Sequence, residues 1–332
     1  MMSFTKTGLS KSQTLSLSMI TVFLFLTPSL KAQVVIPGSG LRVRGFGDNF
    51  EAKDWEFTHN FPKSSYNLDK KTREPLGYSS NGLWFESAKR GQPDVVKIIA
   101  PPKGGILGSK GALLMRSLST GIPGRRGRTS NQDDFLFDGD AAPIPISKSP
   151  SVVVRVYFPP FKYWENSTDT SFGFRAALQA TATKKKRRLF RLRRVKKKEL
   201  FYPGMFIQFN SETDADQIVD SAFFIIRGDN QGQDVVGPEI TQTGWWTLGM
   251  SFTPDGKTHY FASPGVDDLT MADHIYSAQY RGLRFENFQT FFFDIVSKDN
   301  GRSWSTPWIV DDPWVHVGQR ARFATRSRRI GR

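Results

Sequence analysis

The sequence predicts an all-β protein built from two packed antiparallel sheets, and three observations carry that expectation. About a dozen short runs alternate apolar and polar residues with period two, each bounded by Gly, Pro, Asp or Asn. No convincing helical repeat separates them, so alternating β and α units are not expected. The chain also holds 28 Phe, 8 Trp and 8 Tyr, and two facing sheets are the natural way to bury so many aromatic side chains. No repeat of roughly 20 to 50 residues marks a propeller or a solenoid.

The first segment stands apart. Lys6 and Lys11 precede an uncharged run from Leu15 to Leu26, and Thr27–Ala32 follows with a small residue at its end. That is the charged, apolar and cleavage pattern of a secretory signal peptide over residues 1–32. Leu30 is bulkier than the small residue preferred two positions before the cut. The apolar run falls short of the ~20 residues that span a bilayer, which disfavours the alternative of an uncleaved anchor. The expected location is secreted, periplasmic or cell surface, with no transmembrane segment after signal removal. Residues 33–318 are then a β-sandwich domain and 319–332 a basic tail. The chain has no Cys, so it relies on its core without disulfides, and thiolate metal sites and cysteine nucleophiles are excluded.

Taken in order, Gly45–Glu51 leads to Trp55 and Phe57 as a short strand, and residues 62–77 are polar and turn-rich. Gly82–Glu86, Asp94–Ala100 and Gly111–Ser117 read as three short strands. From Ser119 to Ser149 the chain is rich in Gly, Pro, Arg and Asp and reads as a long loop. Ser151–Phe158 ends at Pro159 and Pro160. In Phe172–Ala180, Phe172, Phe174, Ala176, Leu178 and Ala180 alternate with Gly173, Arg175, Ala177 and Gln179. Met205–Phe209 and Ala222–Arg227 follow. In Thr243–Phe252 one face carries Trp246, Leu248, Met250 and Phe252, and the other carries the smaller, more polar set around Trp245. Pro254-Asp255-Gly256 reverses the chain into a hairpin with Lys257–Ala262. One short helix is expected near Asp268–His274, and Phe291–Val296 and Trp308–Val317 complete the strands.

The net charge of +15 is unevenly placed. The signal contributes three positive charges, the run Lys184–Lys198 eleven and the tail from Arg320 six, and none of these segments holds an acid. The remainder is mildly acidic, so the basicity belongs to an insertion at 184–198 and a tail. Self-repulsion predicts an insertion that stays solvated and mobile between two strands. Leu189, Leu192 and Val195 recur at helical spacing, so folding on an anionic surface is a further option. A merely tolerated insertion is the plain alternative.

Several motifs together resemble the concanavalin A-like lectin and glucanase jelly rolls: Asp48-Asn49-Phe50-Glu51, the Gly111–Arg116 strand, the hairpin at Pro254-Asp255-Gly256, and the closing Ile309-Val310-Asp311-Asp312. The resemblance implies a jelly-roll sandwich whose first and last strands lie together and whose concave sheet holds carbohydrate. The family's catalytic acid motif is absent, as are the strand motifs of its alginate-lyase branch, so no catalytic residues carry over. Ser297–Trp304 resembles the Asp-box hairpin of sialidases, in which Asp299 would accept backbone N–H groups, Gly301 relieve a strained φ and Trp304 pack beneath. Sialidase propellers repeat that hairpin, and only Thr253–Gly256 echoes it here.

Arg175, Gln179, Gln208 and Arg227 sit at alternate positions on strands otherwise filled with Phe, Ile and Ala. If those strands are neighbours, they share a face with Trp245: an aromatic platform edged by hydrogen-bond donors, which is the chemistry of a sugar site. An ordinary solvent face is the competing reading. Asp294 between Phe293 and Ile295 is expected to pair with an Arg on the next strand. The pairs Asp133-Asp134, Asp267-Asp268 and Asp311-Asp312 are expected at turns or strand ends, where turn chemistry is the ordinary role and structural calcium the one metal their oxygens could take. His59, His259, His274 and His316 show no metal spacing. The expected function is a carbohydrate-binding or cell-surface interaction protein, and the alternative a glycoside hydrolase or polysaccharide lyase of the same fold. The expected partner is a polysaccharide, an anionic one included, with no strong case for nucleic acid.

Overall fold

The computed structural model describes residues 33–120, 129–139, 142–188, 191–214, 216–228 and 233–318. The expected signal at 1–32 and tail at 319–332 lie outside the described residues. In chain order the strands are β1 (Leu41–Gly47), β2 (Phe57–Thr58), β3 (Tyr78–Ser79), β4 (Trp84–Glu86), β5 (Val95–Ile99), β6 (Ala112–Arg116), β7 (Ser130–Phe137), β8 (Ile144–Pro145), β9 (Pro150–Phe158) and β10 (Asp169–Arg188). They continue as β11 (Arg191–Phe201), β12 (Gly204–Asn210), β13 (Ser221–Arg227), β14 (Asp234–Glu239), β15 (Gly244–Phe252), β16 (Lys257–Pro264), β17 (His274–Gln279), β18 (Leu283–Lys298) and β19 (Trp308–Val317). One helical turn at Tyr66–Asp69 and three 3-10 turns, including Met271–Asp273 where a short helix is expected, are the helical pieces among the described residues.

The strands form two antiparallel sheets, a β-sandwich with a jelly-roll-like arrangement. The first sheet runs β17-β16-β15-β9-β19-β6-β5, with β1 also on β19. Leu41 pairs with Val317 and Gly47 with Trp314, so the first and last strands are neighbours. The second runs β14-β13-β12-β10-β18-β7-β4-β3-β2, with β11 on β10 and β8 on β18. The strands on either side of the basic run pair directly, Phe172 with Ile207 and Phe174 with Met205.

Period-two alternation sends Phe172, Phe174, Ala176 and Leu178 of β10 inward with Phe291, Phe293 and Ile295 of β18, against Trp246, Leu248 and Met250 of β15. Trp84, Phe135, Phe137 and Phe291 pack at 4.8–5.9 Å between ring centres, two pairs stacked and two edge-on. Polar tips inside this layer are satisfied: Asp48 accepts from Trp84 Nε1 at 2.9 Å, Trp55 Nε1 at 3.2 Å and Asn81 Nδ2 at 2.8 Å. The Asp48–Glu51 motif therefore ties an edge loop to the core, and Glu51 accepts the backbone N–H of Lys110.

Five expectations need correction. The segment 119–149 is not one long loop, because it contains β7 and β8. Asp133 and Asp134 lie within β7 on opposite faces rather than at a turn, and both are buried. Asp133 faces the interior, held by Lys63 Nζ at 2.7 Å and Ser117 Oγ at 2.5 Å; burial pushes its carboxyl up to about 6 against the pull of Lys63. The basic run is not a solvated loop either. β10 and β11 continue as a two-stranded ribbon to the pair Arg188–Arg191, because a ladder already anchored at Leu178–Phe201 extends by one paired position at a time.

The small-residue face of β15 is not open. Ser251 Oγ donates to Val35 O at 2.6 Å, and an added Cβ at Gly249 would lie 2.6 Å from Pro37 and from Leu269. Finally, in the hairpin resembling an Asp-box, Asn300 Oδ1 accepts from the backbone N–H of Arg302 and Ser303, both at 2.8 Å. Trp304 is 52% exposed beside Arg116 rather than packed beneath the turn.

Candidate functional site on the outer face of the second sheet

Covering segments distinguish the two outer faces of the sandwich. On the first sheet, residues 33–37, 101–105 and 266–269 close over β9 and β15. Among the described residues no such cover lies on the central strands of the second sheet, and the alternation that buries Phe172 and Phe174 turns Gly173, Arg175, Ala177 and Gln179 outward. The same logic turns out Phe206 and Gln208 on β12, Ile225 and Arg227 on β13, and Asp294 and Phe292 on β18. Arg175, Gln179, Gln208 and Arg227 thus share one face, as expected. Trp245 does not join them. It sits on the first sheet, 6% exposed, packed on Tyr157 and Ile309 with Nε1 donating to Pro102 O at 3.1 Å. The polar positions beside it on β15 promised an open face, but segments distant in sequence cover it.

The centre of the exposed face is a charged row. Asp134 on β7, Asp294 on β18, Gly173 on β10 and Phe206 on β12 are successive cross-strand partners. Arg175 Nη1 stands 3.5 Å from Asp294 Oδ2, the pairing expected for Asp294, and Arg90 Nε stands 3.7 Å from Asp134 Oδ2. Gln132 Nε2 donates to Asp134 Oδ1 at 2.5 Å. The carboxyls of Asp134 and Asp294 stand directly opposite each other on adjacent strands, and both are buried. Burial raises both, and mutual repulsion raises Asp134 further, while Arg90 and Arg175 oppose the rise. The pair therefore holds its protons to higher pH than separate, solvated carboxyls would.

Two glycines make this row possible. A Cβ on Gly173 would stand 2.8 Å from Asp294 Oδ2 and 3.0 Å from the Phe206 ring, and one on Gly204 would stand 2.6 Å from Arg175 Cγ. In the space they leave, the Arg175 guanidinium lies 5.2–5.6 Å from the rings of Tyr202, Phe206 and Phe292 and donates to Tyr202 O at 3.1 Å.

A cleft opens on each side of the row. The larger, about 500 Å³, has Ala177, Leu136 and Phe292 as its floor, Tyr202 and Leu200 as one wall, and Ser87–Arg90 with Asn67 as the other. The smaller, about 220 Å³, is lined by Arg90, Gln132, Asp169, Phe206, Arg227 and Asp234. Arg227 Nε lies 3.0 Å from Asp234 Oδ1, and Gln208 is bonded to Thr170 at 3.2 Å beside this cleft. Gln179 is further along, bonded to Asn287 at 2.8 Å. A roomier cleft of about 690 Å³ is lined by Lys53, Lys97 and Lys110 with Glu56, Trp55 and Phe57, and Glu51 there is committed to the backbone N–H groups of Lys110 and Gly111; it lies apart from the four expected residues of the second sheet. Among the described residues no three His, Asp or Glu side chains gather as cation ligands, and no helix is long and apolar enough to cross a membrane.

Sequence reasoning missed Asp134, Arg90, Tyr202 and Phe292. Only the alternation of Gln132, Asp134 and Leu136 with Asp133, Phe135 and Phe137 could have exposed the first of these.

No family model and no curated protein matches the chain. Among solved structures it is similar in fold to a GH131 β-glucanase catalytic domain from Podospora anserina, at 13% identity and a TM-score of 0.38, covering 85% of this chain and 98% of that one. It is also similar to a PL7 alginate lyase from the marine Zobellia galactanivorans, at 10% identity and a TM-score of 0.26, covering 67% and 92%. The binding domain of a botulinum neurotoxin DC structure in complex with SialylT matches at 8% identity and a TM-score of 0.32, covering 75% of this chain and 47% of that one. These are diffuse likenesses of fold at low identity.

Proposed function

We propose that the protein binds an acidic carbohydrate on the outer face of its second sheet. The supporting observation is the cleft that sets Arg90 and Arg175 beside the rings of Tyr202 and Phe292. Guanidinium groups pair with carboxylate or sulfate, and aromatic rings take the apolar faces of sugars. Arg227 and Gln208 extend the same chemistry across the row. A leader at residues 1–32 would export the chain to where acidic polysaccharides occur. The glycan-active alternative has one feature in its favour, the proton held by Asp134 and Asp294. Hydrolysis, however, uses two carboxyls on either side of the bond, about 5 to 10 Å apart, whereas these two are directly opposite each other on adjacent strands and both are buried.

Calorimetric titration with tetragalacturonate, and with cellotetraose as its neutral counterpart, tests the reading. The acidic tetramer binds the wild type. Arg90→Ala with Tyr202→Ala weakens it about tenfold or more, from loss of one charge-assisted contact and one ring contact, with the unfolding midpoint held. No binding across carboxylated and sulfated oligosaccharides would overturn the proposal, and release of shortened products would move the protein to the glycan-active class.

A further inference from the structure

We propose that the outer face continues onto the basic ribbon as one track for a long, linear acidic polysaccharide; this rests on the cleft reading above. The register carries the argument. Gln179 pairs with Leu200, Thr181 with Lys198, Thr183 with Lys196, and Lys185 with Arg194. Leu178, Ala180 and Ala182 are buried on the inner face, so their neighbours Gln179, Thr181 and Thr183 and the partners of these residues belong to the outer one. Tyr202, Leu200, Lys198, Lys196 and Arg194 therefore follow one another at alternate positions from the wall of the larger cleft, over roughly 27 Å at ~3.4 Å per residue. Lys196 and Arg194 are exposed, and Lys198 is 70% exposed with Glu286 at 3.7 Å.

Charge supplies the partner. Arg194, Lys196 and Lys198 are exposed at alternate positions on one face, roughly 7 Å apart at ~3.4 Å per residue, and like charges that close repel. A polyanion lying along the ribbon relieves that repulsion and releases its own counterions. The carboxyls of Asp134 and Asp294 beneath the cleft and Glu286 beside the strip suit a polymer with spaced charges better than one with a phosphate on every unit. A polysaccharide is the occupant that fits both ends of the track.

The test compares tetragalacturonate with polygalacturonate, each affinity expressed per tetrasaccharide unit. The wild type prefers the polymer by about a hundredfold, the lower range for linked binding sites. Replacing Arg194, Lys196 and Lys198 by Ser cuts that preference to tenfold or less, lowers the slope of log affinity against log salt by about two, and leaves the tetramer affinity unchanged. Lys197→Ser, at a position on the opposite side of the ribbon, leaves the preference within twofold. An unchanged preference in the triple variant, or none in the wild type, would overturn the track while sparing the cleft. A wild type that fails to bind the tetramer removes the cleft reading itself. Equally tight binding of poly(dT) with the same number of charges would overturn the assignment to polysaccharide.

Discussion

Replacing Arg175 by Met removes the cation from a fully buried carboxyl. Asp294 has no exposure and depends on Arg175 at 3.5 Å, and breaking a buried ion pair from one side costs about 3–5 kcal/mol when the remaining charge has no relief. Here relief exists, because burial raises both Asp134 and Asp294, so the pair takes up protons more readily as the pH falls. The expected loss is about 3 kcal/mol at pH 8. At pH 4 the raised pair carries less charge in both proteins, so the loss shrinks toward that of the hydrogen bond to Tyr202 O and the contacts with three rings, about 1 kcal/mol. Urea unfolding at the two pH values measures both quantities. Adding Asp294→Asn to Arg175→Met should recover most of the loss at pH 8, as expected for groups that act through each other. A loss that is equal at both pH values, or no recovery in the double variant, would refute the electrostatic reasoning.

Three further outcomes follow from the same geometry. Asp134 and Asp294 bind protons more tightly folded than unfolded, so between about pH 4 and the pair's own titration the folded state holds more protons and stability falls as pH rises. Asp134→Asn should raise the urea midpoint at pH 8 and leave it nearly unchanged at pH 4. Asp311, pushed up to about 7 by burial against a bond from Ser109 at 2.8 Å, acts in the same direction, so Asp311→Asn should also stabilise at pH 8. Trp245→Ala should cost about 3 kcal/mol in unfolding free energy while leaving acidic-oligosaccharide affinity within twofold.

The parts of the fold that were legible were those fixed by local alternation. Phe172–Leu178, Phe291–Ile295 and the hairpin at Pro254-Asp255-Gly256 needed only period two and turn chemistry, and they placed four of the five expected site residues on one face. β7 was hidden because Asp is depleted in strands. Its two acids are held by Lys63, 70 positions away, and by Arg90, neither of which local spacing connects to them. Trp245 failed for the converse reason: nothing in β15 shows that residues 33–37 and 101–105 will cover it. The basic ribbon was misread because repulsion was weighed without the anchored ladder from which it extends.

The central claim, that the outer face of the second sheet holds an acidic sugar, is tested most directly by mapping backbone amide shifts as tetragalacturonate is titrated into the protein. The account predicts saturable shifts at Arg90, Arg175, Tyr202, Phe206 and Arg227, with Tyr157, Trp245 and Thr247 unmoved. Shifts centred on Trp245 and the first sheet, or no saturable shift at all, would contradict it.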